Sequence, residues 1–497
     1  MTKFLIIPSG GLGKRFYDVG YKTYKPFLKV SKKNRVIDNI INNFPKNNTH
    51  VIIIGNVKKF NFISSNLNIK KISFIKIKNH KYGPVYSLFL AQKSIRKIIK
   101  DNDFFIVYSD INWKWNYKNV ENFVKDKNIV IFSHKGFHPH LEIDSKSDFF
   151  LNDKKDIVKH VSKKKLLIKD YKKNNLAIGC YFFRNFNFLE NFFDLKKIST
   201  ILIKNEIYII DLLKFLIKKK IEINYFNINK FVHLGLPNQY ENFLFWQKII
   251  NGKNKNNINL KSLNVMLMGG KGMRVKDLVE KKPFLKFKNK NIYEFIFNKF
   301  KSKSNFIITN KNYTKLINKK FKIYKIKETN SMFETVENSI KFLNKKKNFF
   351  ILSCDCFGNF NHQLFRKFIK VEDPDIVVFP FKISDLQKTT SNSHTTIEII
   401  KNKLKSINVK KFINNKNELG HAGFFWVKNN KVFNNIEKFI FKMKFNREIL
   451  LDDYFKFLFD EKICKVNYFM LDEYIHIGSV KEYLELKYWE NYFKNEN

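Results

Sequence analysis

Two stretches about 260 residues apart are built alike. Ile6-Ile7-Pro8-Ser9-Gly10-Gly11-Leu12-Gly13-Lys14-Arg15 runs on to Tyr24-Lys25-Pro26-Phe27-Leu28, and Val265-Met266-Leu267-Met268-Gly269-Gly270-Lys271-Gly272-Met273-Arg274 runs on to Lys281-Lys282-Pro283-Phe284-Leu285. Each is an apolar run, a Gly-Gly-x-Gly-x-Arg turn, and then Lys-Pro before more apolar residues. A strand that ends in glycines lets backbone N–H groups approach a ligand, and the cation that follows adds charge; both suit phosphate. A chain that carries the arrangement twice is constrained to fold as two similar units.

The repetition extends through both halves, which fixes the domain map. Ser109-Asp110 returns as Ser353-Asp355, Ser162-Lys163 as Val409-Lys410, and Gly179-Cys180-Tyr181 as Gly423-Phe424-Phe425. Glu206 and Asp211 return as Glu448 and Asp453, and His233-Leu234-Gly235 with Tyr240 as His476-Ile477-Gly478 with Tyr483. The order is kept and the spacing is nearly constant, as expected of a tandem duplication. The polar run from Asn251 to Asn257 reads as the joint. The expected domains are residues 1–250 and 262–497, with 251–261 as linker.

Within each half, short β-branched and aromatic runs alternate with helical patterns. Val51 to Ile54, Phe104 to Val107 and Ile129 to Phe132 are matched by Asn305 to Ile308, Phe349 to Leu352 and Ile376 to Phe379. Such alternation predicts an α/β fold, two mostly parallel sheets covered by helices, with ligands at the carboxyl ends of strands. The 44% hydrophobic and 16% aromatic shares are enough for a core in each half. Net charge is +50, but the lysines are spread through every segment and not gathered on one stripe. A specific nucleic-acid role is therefore not expected; the excess charge instead favours anionic small molecules. No stretch has the apolar length of a membrane span and nothing resembles a signal peptide, so a cytoplasmic protein without a membrane partner is expected. The four cysteines are too scattered for a disulfide framework or zinc site.

The residues themselves suggest the chemistry. Gly10, Gly11 and Gly13 would let the backbone approach a triphosphate, and Arg15 would reach its β and γ phosphates as a two-pronged donor. Lys25 would neutralise charge at the α-phosphate or on an incoming phosphate. Asp110 ends a strand that reads as buried, where a carboxylate needs a purpose. Mg²⁺ supplies one, because it is held by one or two carboxylates plus phosphate oxygens; Asp355 is read the same way. His138 and His140 are candidates for contact with an acceptor phosphate.

Taken together, these residues resemble the NDP-sugar pyrophosphorylases, the nucleotidyltransferases that make sugar nucleotides. The first half is most similar to the branch found in capsule and lipopolysaccharide gene clusters, through Gly11-Leu12-Gly13-Lys14-Arg15-Phe16, Gly83-Pro84-Val85-Tyr86-Ser87, Tyr108-Ser109-Asp110 and Gly136-Phe137-His138-Pro139-His140. The resemblance implies two tandem Rossmann-like (GT-A-like) nucleotidyltransferase domains. It implies that Gly83 lies near the base, that Asp110 binds Mg²⁺, that Lys163 contacts the acceptor's phosphate and that Gly179 borders the sugar pocket. Lys410 and Gly423 take those last two places in the second half. The implied partners are an NTP and a phosphorylated small molecule such as a sugar phosphate; homo-oligomerisation is left open.

In the second half, Gly269, Gly270, Gly272 and Arg274 keep the phosphate residues, and Lys282 and Asp355 remain. The span from Arg274 to Lys282 is shorter than that from Arg15 to Lys25, and Ser331 stands where Gly83 does. Catalysis is accordingly expected in the first half, and nucleotide binding with altered or regulatory use in the second. Two alternatives stay open. A glycosyltransferase of related fold usually has a second metal carboxylate, but Asp110-Ile111-Asn112 and Asp355-Cys356-Phe357 lack it. A non-catalytic nucleotide-binding protein is the other.

Overall fold

The computed structural model describes residues 3–56, 71–144, 146–153, 155–193, 206–252, 260–270, 281–302, 304–344, 346–383, 395–410, 418–442 and 447–494. They form two compact units, Met1–Ile249 with Asn491–Asn497, and Ile250–Glu490. The sequence had assigned all of 262–497 to the second unit. Among the described residues, no helix is long and apolar enough to cross a membrane.

The main sheet of the first unit runs from edge to edge through Asn224–Asn227, Ile129–Lys135, Asn175–Phe183, Phe104–Val107, Lys3–Ser9, Thr49–Gly55 and Lys71–Lys76. The second unit repeats that order through Val466–Tyr468, Ile376–Phe381, Glu418–Asn429, Lys347–Ser353, Leu263–Met268, Ser304–Thr309 and Lys322–Lys325. Both are α/β sheets in which parallel pairs dominate. The long strand in each, Asn175–Phe183 or Glu418–Asn429, runs antiparallel to both its neighbours in the main sheet. Alternation of strand and helix patterns could not show this reversal, because a strand's direction depends on how the chain returns to the sheet.

Strands covered on both faces must be apolar throughout, and the central strands are. Thr49–Gly55 is buried at every position, and Lys3–Ser9 at all but its first. The helix Pro84–Ile99 links Lys71–Lys76 to Phe104–Val107. Its Val85, Leu88, Ala91, Ile95 and Ile99 recur at helical spacing and join Ile6, Ile52 and Ile106 in one core. Burying each of the larger ones contributes roughly 1.5–3 kcal/mol relative to exposure. Lys3–Ser9 and Phe104–Val107 are adjacent and parallel, so the segments after them, carrying Gly10 and Asp110, emerge at one edge of the sheet.

Candidate functional site

The glycine turn begins where Lys3–Ser9 leaves the sheet. Tyr24 donates its hydroxyl to the Ser9 carbonyl and, at 3.2 Å, to that of Gly11. The His80 N–H donates to the Gly10 carbonyl at 3.0 Å, and the His80 ring lies 2.8 Å from Ser87 Oγ. A Cβ on Gly10 would stand 2.7 Å from both His80 Nε2 and Ser87 Oγ, so this glycine makes room for a protein wall. Gly13 has φ +71° and starts the helix Lys14–Tyr17, and a Cβ on Gly11 would meet nothing within 4 Å. Gly11 is therefore the glycine that leaves its backbone open to a ligand. Sequence reasoning missed His80: an isolated histidine in a loop has no periodic or motif signal.

Lys25 opens a short 3-10 turn, Lys25–Phe27, whose Pro26 presets the backbone. That turn places Lys25 Nζ 2.6 Å from Asp110 Oδ2. The strand Lys230–His233 pairs antiparallel with Ile111–Lys114, and the Leu234 N–H donates to the Asp110 carbonyl at 2.8 Å. Gly235 thereby passes so close that a Cβ would lie 3.1 Å from Asp110 Oδ2. Burial works to raise the Asp110 carboxyl, but Lys25, His233 and Arg15 outweigh it and hold it below its ordinary value. His233 is pushed down to about 4 by burial against the opposing pull of Asp110, so it is neutral near pH 7.

These groups line a cleft of about 370 Å³, walled by Gly10 to Arg15, Lys25, Gly83, Asp110, Glu206, Tyr208 and Gly235. The structure thus brings together Arg15, Lys25, Asp110, Gly10, Gly11, Gly13 and Gly83. Among the described residues, no group of three or more His, Cys, Asp or Glu side chains could hold a metal. Asp110 still fits a Mg²⁺ held by a single carboxylate and by substrate phosphates: its side chain is 29% exposed at the cleft, and only Oδ2 takes the lysine.

Lys163 lies beside Glu206 and Tyr208, two of the residues that line the cleft. Its ammonium donates to the Glu206 carbonyl and, at 2.8 Å, to Asp211 Oδ2, and lies 5.2 Å from the centre of the Tyr208 ring. Asp211 also accepts from the Tyr208 N–H at 2.9 Å, which caps the helix Ile209–Lys218. Glu206 and Tyr208, which face the cleft, had no role in the resemblance; Tyr208 donates its hydroxyl to Glu206.

Gly83 and Gly179 are required by packing. Gly83 has φ +85°, and a Cβ there would be 2.5 Å from the Ile207 carbonyl oxygen. Gly179 has φ +89°, and its Cβ would lie 2.7 Å from the Tyr108 ring, which itself lines the cleft. His138 and His140 are corrected: both are buried, at 0% and 2% exposure, where they cannot meet a ligand from solvent. Burial holds both rings neutral, His140 at about 3. The His138 side chain accepts from the His140 N–H at 3.2 Å and so caps the helix Pro139–Ile143.

In the second unit, Gly269 and Gly270 follow Leu263–Met268, with Thr329 in the place of His80. Its N–H donates to the Gly269 carbonyl at 3.1 Å, and its hydroxyl lies 2.7 Å from that of Thr335. Gly272 and Arg274 lie outside the described residues. Lys282 pairs with Asp355, whose carboxyl is held well below its ordinary value by Lys282 and His476 against burial. Lys410 is exposed, and Arg447 grips Asp453 instead, at 2.6 and 2.8 Å. Gly423 lies where a Cβ would be 3.3 Å from Cys356 Sγ, so it packs against the strand after Asp355.

Residues 5–140 match the family model described as Nucleotidyl transferase. The first unit carries a nucleotidyl transferase domain. No curated protein is a significant match to the chain. Among solved structures, the chain is similar to the nucleoside-diphosphate-sugar pyrophosphorylase from Vibrio cholerae, at 17% identity over 48% of this chain and 99% of that one, TM-score 0.40. It is also similar to the inositol-1-phosphate CTP transferase from T. maritima, at 16% identity over 47% of this chain and 97% of that one, TM-score 0.36. A UTP-bound UGPase from Acinetobacter baumannii shares 13% identity over 50% of this chain and 94% of that one, TM-score 0.38.

Proposed function

We propose that the first unit transfers a nucleoside monophosphate from an NTP to a phosphorylated small molecule, a sugar phosphate being the favoured class, with release of pyrophosphate. The observation that carries this reading is the meeting of Arg15, Lys25 and Asp110 with the open glycine turn around one cleft. An acceptor phosphate oxygen attacks the α-phosphorus; a new P–O bond forms and the bond to the β-phosphate oxygen breaks, the electron pair leaving with pyrophosphate. No general base is needed, since a phosphate monoester dianion is already a nucleophile. Catalysis is then positioning and charge neutralisation.

Each residue has a defined part. The backbone at Gly11 approaches the triphosphate, and Arg15 forks onto its outer phosphates. Lys25 stands next to Asp110 and turns to the α-phosphate as the transition state gathers charge. A Mg²⁺ held by Asp110 would supply further neutralisation of the phosphates. Lys163 already gives two N–H bonds to Glu206 and Asp211, and its third serves the acceptor phosphate. A role in precursor synthesis for a surface polysaccharide is the biological setting we favour, on the resemblance of the first half. The deciding experiment measures pyrophosphate release from each of the four NTPs against a panel of sugar 1-phosphates and other phosphomonoesters. Release with one pair is expected; tight NTP binding without release for any pair would leave a non-catalytic nucleotide-binding protein.

A further inference from the structure

We infer that Asp355, which stands in the second unit where Asp110 stands in the first, takes no divalent cation. The comparison rests on the reading of Asp110 given above. A hard dication needs carboxylate oxygens with open lone pairs, together with room for water or phosphate beside them. Asp355 offers neither. Its Oδ1 accepts the Ser353 hydroxyl, and its Oδ2 meets the Lys282 ammonium and lies 3.5 Å from His476 Nε2. The Asp355 side chain is 8% exposed, against 29% for Asp110, and Lys282 is 10% exposed, against 20% for Lys25.

His476 is held in place from its other side. Its Nδ1 lies 2.9 Å from Glu482 Oε1, while Glu482 Oε2 accepts from the Gly478 N–H at 3.0 Å and the Ser479 hydroxyl at 2.8 Å. The imidazole therefore sits between two carboxylates, with an acceptor at each nitrogen. The repeat puts Gln239 where Glu482 stands, and Gln239 turns its amide oxygen to the Leu236 N–H at 3.1 Å. One neutral-for-acidic difference accompanies the change from an open aspartate to a closed one. A metal arriving at Asp355 would have to displace a buried lysine and a half-buried histidine and leave both beside a dication, a costly rearrangement.

Mn²⁺ serves as the probe, counted by electron paramagnetic resonance on the full-length protein with a non-hydrolysable NTP analogue. One bound ion per chain is expected, lost in Asp110→Asn and kept in Asp355→Asn. Two ions per wild-type chain, or an ion lost on Asp355→Asn, would overturn the inference, and the wild-type count needs no variant to fold. An ion kept in both single variants would remove Asp110 as its ligand while still excluding Asp355.

Discussion

The Lys25 ammonium and the Asp110 carboxylate, 85 residues apart in sequence, meet at 2.6 Å on the wall of the first unit's cleft. Lys25 holds the Asp110 carboxyl below its ordinary value against burial, which acts to raise it. The same contact holds a cation ready on the wall of the cleft proposed for phosphoryl transfer.

Asp110→Asn preserves the shape of the pair and removes the charge. Turnover with saturating Mg²⁺ is expected to fall by roughly 100-fold or more, the scale for losing one centre of transition-state neutralisation. Pyrophosphate release measured across a Mg²⁺ titration checks this, and near-wild-type turnover would remove Asp110 from the metal site.

Lys25→Met should do more than slow the reaction. Without Lys25, burial of Asp110 is less opposed, so its carboxyl should rise and the acid limb of the kcat/KM profile should move to higher pH. A profile that only drops in height would show that Lys25 acts on substrate without tuning Asp110.

Gly179→Ala and Gly11→Ala separate packing from ligand approach. At Gly179 an alanine meets φ +89° and the Tyr108 ring, so roughly 2–4 kcal/mol of stability should be lost. At Gly11 nothing lies within 4 Å; stability should hold within about 0.5 kcal/mol while NTP affinity falls. Chemical denaturation together with NTP titration reads both, and unchanged affinity in Gly11→Ala would place the triphosphate elsewhere.

The two repeat histidines should make the units respond oppositely to pH. His233 titrates at about 4 when folded, below its unfolded value of 6.5. The unfolded chain therefore takes up the proton first, and the first unit loses stability as pH falls from 6.5 towards 4. His476 is raised to about 9: burial lowers it, but Glu482 and Asp355 prevail. Its contribution is full below 6.5 and is lost as pH rises towards 9. Each effect is on the order of 3 kcal/mol. Hydrogen exchange of Lys230–His233 and of Glu473–His476, followed from pH 5 to 9, should show opposite trends; parallel trends would refute the assignment.

The repeat, the α/β class and the strand cores were legible because each is written in local apolar runs and in motifs that recur in order. Gly10, Arg15, Lys25 and Asp110 could be singled out because glycine, cation and carboxylate chemistry at strand ends has few other uses. Local sequence could not say which glycines face a ligand. Gly10, Gly83 and Gly179 are small because His80, Ile207 and Tyr108 press on them, whereas Gly11 is open. Nor could it bury His138 and His140, or join Lys163 to Asp211, since those outcomes depend on strands distant in the chain.

The sequence alone determined that this chain repeats one order of glycines, cations and strand-end aspartates, because duplication preserves residue order. Only the tertiary structure decided that the copies differ in their aspartates. Asp110 keeps an exposed edge on its cleft, while Asp355 is enclosed by Ser353, Lys282 and His476. The physical reason is that a carboxylate's availability is set by the donors folded around it, and those donors come from segments up to about 120 residues away.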